Sequence, residues 1–320
     1  MSVVPTVRGP VDSSRLGRVL MHEHVFVLSE ELRCNYPRRW DEEERVADAV
    51  AKLRALKSRG IDTIVDPTVL GLGRFLPRVA RVNEQVDLHI VPATGYYTYT
   101  ELPFFFQYNG PGRLVDGAEP LLEMFRTDLE EGIGGTGIRA GLLKCAIDQP
   151  GLTPDVERVL KAVAATHRST GAPVTVHTSA ANRSGLVAQR LLAEEGVDLT
   201  KVVIGHAGDS TDLDYLTTLA DAGSLLGMDR FGLDDALPFE QRVETVVALV
   251  ARGYTDHLVL SHDAACHLDW VPEDRIQATN PRWVFTHISD DVLPALRARG
   301  ITEEQIDTML IHNPRRYFER

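Results

Sequence analysis

The chain has 320 residues, with 34 Lys plus Arg against 46 Asp plus Glu and a formal net charge of -12. Its 43% hydrophobic and 25% charged residues are an ordinary globular composition, which excludes intrinsic disorder, and the acidity disfavours nucleic acid and anionic lipid as partners. Three cysteines, Cys34, Cys145 and Cys266, include no CxxC pair; they make no disulfide framework and point to a reducing compartment, with the cytoplasm as the default.

In chain order, the first twenty residues carry Pro5, Arg8, Pro10, Asp12 and Arg15, which interrupt the apolar core a signal peptide needs. No apolar run approaches the roughly 20 residues that cross a bilayer, so no membrane association is expected. Short β-branched runs then alternate with stretches of helical spacing. The expected strands are 18–25, 61–68, 89–95, 137–146, 173–178, 201–206, 224–229 and 257–261. Several are apolar on both faces, as in VVIGH and LVLSH, which fits a parallel sheet covered by helices.

The intervening helices have readable ends. Residues 41–59 place Val46, Val50, Leu53 and Leu56 on one stripe that stops at Gly60. Thr153-Pro154 reads as an N-cap and first helical residue, ahead of Val156, Val159, Leu160 and Val163. Thr302 with Gln305 is a capping-box pattern, and Asn313-Pro314 is expected to close that last helix. The segment Pro103-Phe104-Phe105-Phe106 reads either as a loop folded over the barrel mouth or as an apolar substrate wall.

Eight strand–helix repeats predict an α/β fold, a (β/α)₈ barrel, with residues 1–320 forming one domain with long loops. The rival doubly wound sheet would carry GxGxxG after the first strand or a GxxxxGK[ST] loop, and neither is present; the glycine-rich 132–137 leads into a strand and reads as a connector.

In such a barrel the reactive groups come from the C-terminal ends of the strands. Strand one ends in His22-Glu23-His24, where a period of two sends both imidazoles to one face. Lys144 lies on strand four, His177 ends strand five, His206 ends strand six and Asp263 follows strand eight. A lone buried histidine is more often a hydrogen-bonded core residue than a ligand, and His89, His167, His257, His262, His267, His287 and His312 are read that way. Four histidines, a lysine and an aspartate at one mouth are not coincidental. Such a set suits zinc, cobalt, manganese or iron. A protonated lysine among cations has no lone pair, but a lysine carbamate has two oxygens and one negative charge, enough to bridge two ions about 3.5–4 Å apart.

With these residues in place, the chain resembles the phosphotriesterase family of the amidohydrolase superfamily, and most of all its phosphotriesterase-like lactonases. The resemblance is carried by Val7-Arg-Gly-Pro10, Met21-His22-Glu23-His24, Lys144-Cys145, His177-Thr178, Ile204-Gly205-His206, Ser261-His262-Asp263 and Asn313-Pro314. It implies that His22, His24 and Asp263 hold a buried metal and His177 and His206 a more exposed one, bridged by carbamylated Lys144 and a hydroxide. It also implies a homodimer. The lactonase branch is favoured by Tyr97, by Met228-Asp229-Arg230-Phe231-Gly232 and by Trp270, and by the few residues between Gly232 and Pro238 where organophosphate hydrolases of the family carry a longer loop. Where some lactonase relatives have two adjacent cysteines after the metal aspartate, this chain has Ala264 and Ala265 before Cys266.

The expected activity is hydrolysis of a lactone ester bond, of N-acyl homoserine lactones (quorum quenching) and aliphatic lactones, with organophosphate triesters as a promiscuous side reaction. Asp263 would act as acid and base, Lys144 as the bridging ligand, and Tyr97, Arg230 and Trp270 would contact substrate. His262 reads either as an outward proton relay or as structural, and Cys34 and Cys145 read as packing residues. The alternative is a phosphotriesterase or other carboxylesterase as the main activity.

Overall fold

A computed structural model describes residues 2–319, the Arg39 side chain excepted. Eight parallel strands form a nearly closed barrel, each pairing with the next in the chain: β1 Val19–Leu20, β2 Thr63–Asp66, β3 His89–Gly95, β4 Leu142–Ile147, β5 Val174–Thr178, β6 Val202–Gly205, β7 Leu225–Met228 and β8 Leu258–Leu260. Closure between β8 and β1 is made by Met21 N–H to Leu260 O at 3.4 Å and Asp263 N–H to His22 O at 3.0 Å. The expected (β/α)₈ architecture is the one observed. Among the described residues no helix is long and apolar enough to cross a membrane.

Strand alternation sorts the side chains into two cores. Leu143, Cys145 and Ile147 of β4 face outward into the layer beneath the helices, where Val174, Val176 and Ile204 also lie. Leu142 faces the barrel interior with Val65, Val91, Ala93, Val203, Leu225 and Val259. The floor of the interior is filled by Tyr317 and Phe318 from the terminal helix, with Val4 and Leu16. The Tyr317 hydroxyl meets Thr175 Oγ1 of β5 at 3.0 Å. Apolar side chains therefore seal the lower barrel, and the polar inward positions are left for the upper mouth.

The outer helices begin where the sequence signals them. Helix α1, Glu42–Lys57, is capped by Asp41 accepting from Glu44 N–H and buries Val46, Ala49, Val50, Leu53 and Leu56. Helix α2, Pro154–Thr170, is capped by Thr153 accepting from Val156 N–H and ends at Gly171 in the left-handed region. The Thr302/Gln305 capping box is formed.

Three details differ from expectation. Strand one is not continuous through 18–25: it stops at Leu20, and His24–Val27 pairs instead with Ala265–Leu268. Here the backbone shares its hydrogen bonds between two neighbours, Glu23 N–H going to Val65 O and His24 N–H to Ala264 O. Asn313-Pro314 does not close the last helix. A π-type segment, Thr308–His312, runs directly into a final helix, Asn313–Phe318; the wider turn, with Asn313 N–H bonded back to Thr308 O, accommodates Pro314, which has no N–H to place. Cys34 is exposed and is not a packing residue, whereas Cys145 and Cys266 are buried.

Candidate active site

The barrel mouth gathers side chains from in or just after seven of the eight strands. His22, His24, Lys144, His177 and Asp263 line one cavity of about 220 Å³ together with Tyr97, Arg230, Trp270 and Trp283. His206 lies just below, buried, with Nε2 at 2.8 Å from His177 Nδ1. All six candidate ligands and all three candidate substrate contacts therefore meet in one place. Trp270 sits at the rim, 53% exposed, where a second groove of about 750 Å³ opens between it and Tyr97 along Tyr99, Leu102, Pro103 and Phe104.

Each imidazole is held from behind. His22 Nδ1 meets Asp229 Oδ2 at 2.9 Å and His206 Nδ1 meets Asp229 Oδ1 at 3.0 Å. His177 Nε2 lies 3.1 Å from Asp148 Oδ2. His24 Nδ1 meets Thr68 Oγ1 at 2.7 Å, and because the Thr68 hydroxyl donates its proton to Asp66, the imidazole is the donor in this contact. The opposite nitrogens all face the mouth. A carboxylate or hydroxyl behind the ring, with a free lone pair in front, is the arrangement of histidines that bind metal.

On one side His22 Nε2 and His24 Nε2 lie 3.4 and 3.2 Å from Asp263 Oδ1, and Lys144 Nζ lies 3.1 Å from His22 Nε2. On the other, His177 Nδ1 and His206 Nε2 face each other at 2.8 Å, with their opposite nitrogens against Asp148 and Asp229. His22, His24 and Asp263 have the spacing of a cation site. His22, His206 and Asp229 share that spacing, but there the imidazole nitrogens nearest the carboxylate are the rear ones, each paired with an Asp229 oxygen, so Asp229 orients the two rings. The donor chemistry of His22, His24 and Asp263 fits a divalent ion, with His177 and His206 beside it.

Electrostatics agree with this. Burial opposes charge on His24, yet the Asp263 and Asp66 carboxylates outweigh it and lift its pKa to about 9, so this corner attracts a cation. Burial, and then the charge of Lys144, depress His22 to about 4. Burial pushes Lys144 down to about 8, with Asp263 and Asp229 limiting the drop, so a neutral amine is accessible near physiological pH. For Asp263, burial is outweighed by His206, His22 and Arg230, which hold its carboxyl well below the usual range.

Two of the three non-glycine residues with left-handed backbone among the described residues are in this site, His206 with φ +63° and Asp263 with φ +55°. Such a conformation costs on the order of 1–2 kcal/mol and persists where the surroundings impose it. For His206 the imposing group is Asp229, which also accepts its backbone N–H at 2.8 Å. Asp229 can lie flat across the barrel because Gly227 below it has no side chain: a Cβ there would stand 2.5 Å from Asp229 Oδ2.

The substrate candidates carry fixed polarity. The Tyr97 hydroxyl donates to Asp148, so it turns lone pairs to the cavity, and its ring packs edge-on against His177. Arg230 spans Asp263 Oδ2 at 2.9 Å and Asp209 Oδ2 at 3.0 Å, and Arg242 backs Asp209 at 2.8 Å. His262 is not an outward relay: it is fully buried, on the far side of the strand, bonded to Glu23 and to Ile288 N–H. Sequence reasoning missed Asp66, Thr68, Asp148 and Asp209, and assigned Asp229 no role. The available signal was position, since each lies at or within a few residues of a strand end.

Comparison with known proteins places this geometry. Residues 2–318 match the phosphotriesterase family. A solved structure of the phosphotriesterase from Mycobacterium tuberculosis is 56% identical, with a TM-score of 0.98 over 99% of this chain and 98% of that one. A second solved structure, described as molecular engineering of organophosphate hydrolysis activity from a weak promiscuous lactonase template, is 35% identical with a TM-score of 0.90 over 100% of both chains. The aryldialkylphosphatase of Saccharolobus solfataricus is 40% identical over 98% of this chain and 99% of that one. Over its whole length, and with its strand-end residues gathered in one mouth, the chain belongs to the phosphotriesterase family of hydrolases.

Proposed function

We propose that the protein is a metal-dependent lactonase, hydrolysing N-acyl homoserine lactones and aliphatic lactones, with organophosphate triesters as slower substrates. The observation that carries this reading is the convergence of four imidazoles, Lys144 and Asp263 on one cavity that opens, between Tyr97 and Trp270, into a groove fit for an acyl tail. His22, His24 and Asp263 would hold one divalent ion and His177 and His206 the other, with zinc, cobalt, manganese and iron all suited to the donors. Lys144 would bridge them as a carbamate, its neutral amine nitrogen bonding to the carbon of CO₂ with release of one proton. When bound, such an ion pair polarises an ester carbonyl and lowers the pKa of water.

The protein's own groups do the rest. Asp263, ionised, takes the proton of the attacking water and returns it to the departing alkoxide, a role worth typically 10²–10⁴-fold. Arg230 holds Asp263 Oδ2 and so fixes the carboxylate, with Oδ1 turned to His22 and His24. Tyr97 offers an acceptor to the substrate, and Val27, Leu72, Leu233, Leu268, Trp270 and Trp283 wall the cavity with apolar surface that excludes water. Only six residues, beginning at Leu233, separate Gly232 from the helix Phe239–Ala251, which leaves the cavity open to a ring with a tail. In the same reading residues 1–320 are one amidohydrolase-type domain, working in the cytoplasm as a homodimer on a small ester, with no nucleic-acid or membrane partner.

A triester as main substrate is the second reading, favoured by the 40% identity to an aryldialkylphosphatase. The first reading is tested by metal analysis and lactone turnover of Lys144→Ala, Asp263→Asn and His177→Ala. Each is expected to lose metal and at least about 100-fold in kcat. Wild-type metal content and turnover in all three would remove the proposal.

A further inference from the structure

The motifs His22-Glu23-His24 and Ser261-His262-Asp263 each contain a middle residue that the proposed reaction does not use. Glu23 and His262 are fully buried and turn away from the mouth to meet each other, Nδ1 to Oε1 at 2.6 Å. Around the carboxylate stand donors only. Oε1 also accepts from Ser261 Oγ at 3.0 Å and from the His262 backbone N–H at 2.9 Å, and Oε2 from the Ala264 backbone N–H at 3.1 Å. The Ser261 oxygen itself accepts the His22 N–H at 2.8 Å, which leaves its single proton for Glu23. His262 Nε2 accepts Ile288 N–H at 2.8 Å, so the ring proton is on Nδ1 and points at Glu23.

The two backbone donors, His262 and Ala264, are the residues on either side of Asp263, whose φ of +55° is left-handed. We propose that Glu23 is a positioning residue: it grips the chain on both sides of Asp263, holds that left-handed turn, and thereby aims Asp263 Oδ1 at His22 and His24. The proposal rests on the reading of Asp263 as a ligand. His262 is the other half of the clamp. Its ring ties Glu23 to Ile288, and its carbonyl accepts Trp283 Nε1–H at 2.7 Å, so the clamp also anchors a wall of the substrate cavity. A buried carboxylate could instead serve folding alone, and the two roles separate in experiment.

Glu23→Gln preserves volume but puts an NH₂ group against a backbone N–H on one side of Asp263. In zinc titrations of the metal-free protein, one of the two equivalents is expected to bind about 10- to 100-fold more weakly, the usual effect of removing a group that orients a ligand. Turnover of a lactone by the zinc-loaded variant falls by a similar factor in kcat, while KM changes by a smaller factor, because Glu23 reaches the cavity wall only through the His262 carbonyl on Trp283 and has no bond to Tyr97. His262→Gln keeps both backbone donors on Glu23, so its zinc loss is smaller, under about tenfold, and still measurable. Should Glu23→Gln not yield folded protein, His262→Gln decides alone, and unchanged zinc affinity there overturns the clamp. Wild-type zinc affinity and kcat in Glu23→Gln overturn it as well, as does a variant with a lower unfolding midpoint whose folded fraction keeps both. Asp263→Asn is measured alongside. If it keeps both zinc equivalents, the ligand reading fails and the clamp with it; if it loses one while Glu23→Gln loses none, only the clamp fails.

Discussion

A histidine offers a metal the nitrogen its neighbour leaves free, so the carboxylates behind the imidazoles matter as much as the imidazoles. Asp229 serves two of them, one oxygen for His22 and one for His206. Asp229→Ala is therefore expected to weaken zinc binding and kcat by about 10- to 100-fold although Asp229 is no ligand, and zinc titration with lactone kinetics checks it. An unchanged affinity would contradict the assignment. Gly227→Ala should reproduce part of that loss without removing a polar atom, because the new methyl would stand 2.5 Å from Asp229 Oδ2 and 3.1 Å from Gly205 Cα. Such a carboxylate, pinned by two imidazoles and a backbone N–H, has nowhere to retreat. None of this was legible from spacing. Glu23 and His262 are 239 positions apart, and His22 and Asp229 207 apart, so only the closed barrel brings them into contact.

At the scale of elements, the sequence was most readable where one local rule decides. Thr153, Asp41 and the Thr302/Gln305 pair cap helices as their side-chain chemistry requires, and the alternation of β4 sends Lys144 inward beside Leu142 while Cys145 turns out. It was least readable where two rules compete. The break after Leu20 has no Gly or Pro to mark it, since it comes from hydrogen bonds shared between β2 and β8. The terminal helix is a second case, because its aromatic plug, not its proline, fixes its course. Tyr317 is buried against the barrel floor, so Tyr317→Ala is expected to cost about 3–5 kcal/mol in urea unfolding with little change in the kcat of folded protein. A cost below about 1 kcal/mol would mean that the plug is not part of the core. The segment around Phe104–Tyr108 is pinned by Arg158, whose guanidinium donates to Phe106 O and Asn109 O and pairs with Glu119. The stretch is a short helix rather than a loop, with Phe104 lining the outer groove and Phe106 buried. Arg158→Ala should raise KM for long-chain lactones more than for short ones, and equal KM changes would contradict a groove for the tail.

For the whole molecule, half-buried and buried histidines outside the mouth set a direction for acid stability. Burial depresses His89, His267 and His287 below their ordinary value of 6.5. Between that value and their folded pKa the unfolded chain binds more protons than the folded one, so stability is complete above about 6.5 and falls as the pH drops below it. The unfolding midpoint should decline from pH 7 to pH 5, and His287→Gln should flatten the decline; a midpoint that rises on acidification would contradict the sign. The net charge of -12 belongs to the whole chain, while at the mouth the Asp263 and Asp66 carboxylates favour positive charge on His24. Whether that mouth prefers a lactone is decided by kcat/KM of the zinc-loaded protein for an N-acyl homoserine lactone, a δ-lactone and an organophosphate triester. Both lactones are expected to exceed the triester by at least about 100-fold, a transition-state difference of roughly 2.7 kcal/mol. A triester preferred by that margin would contradict the lactonase reading.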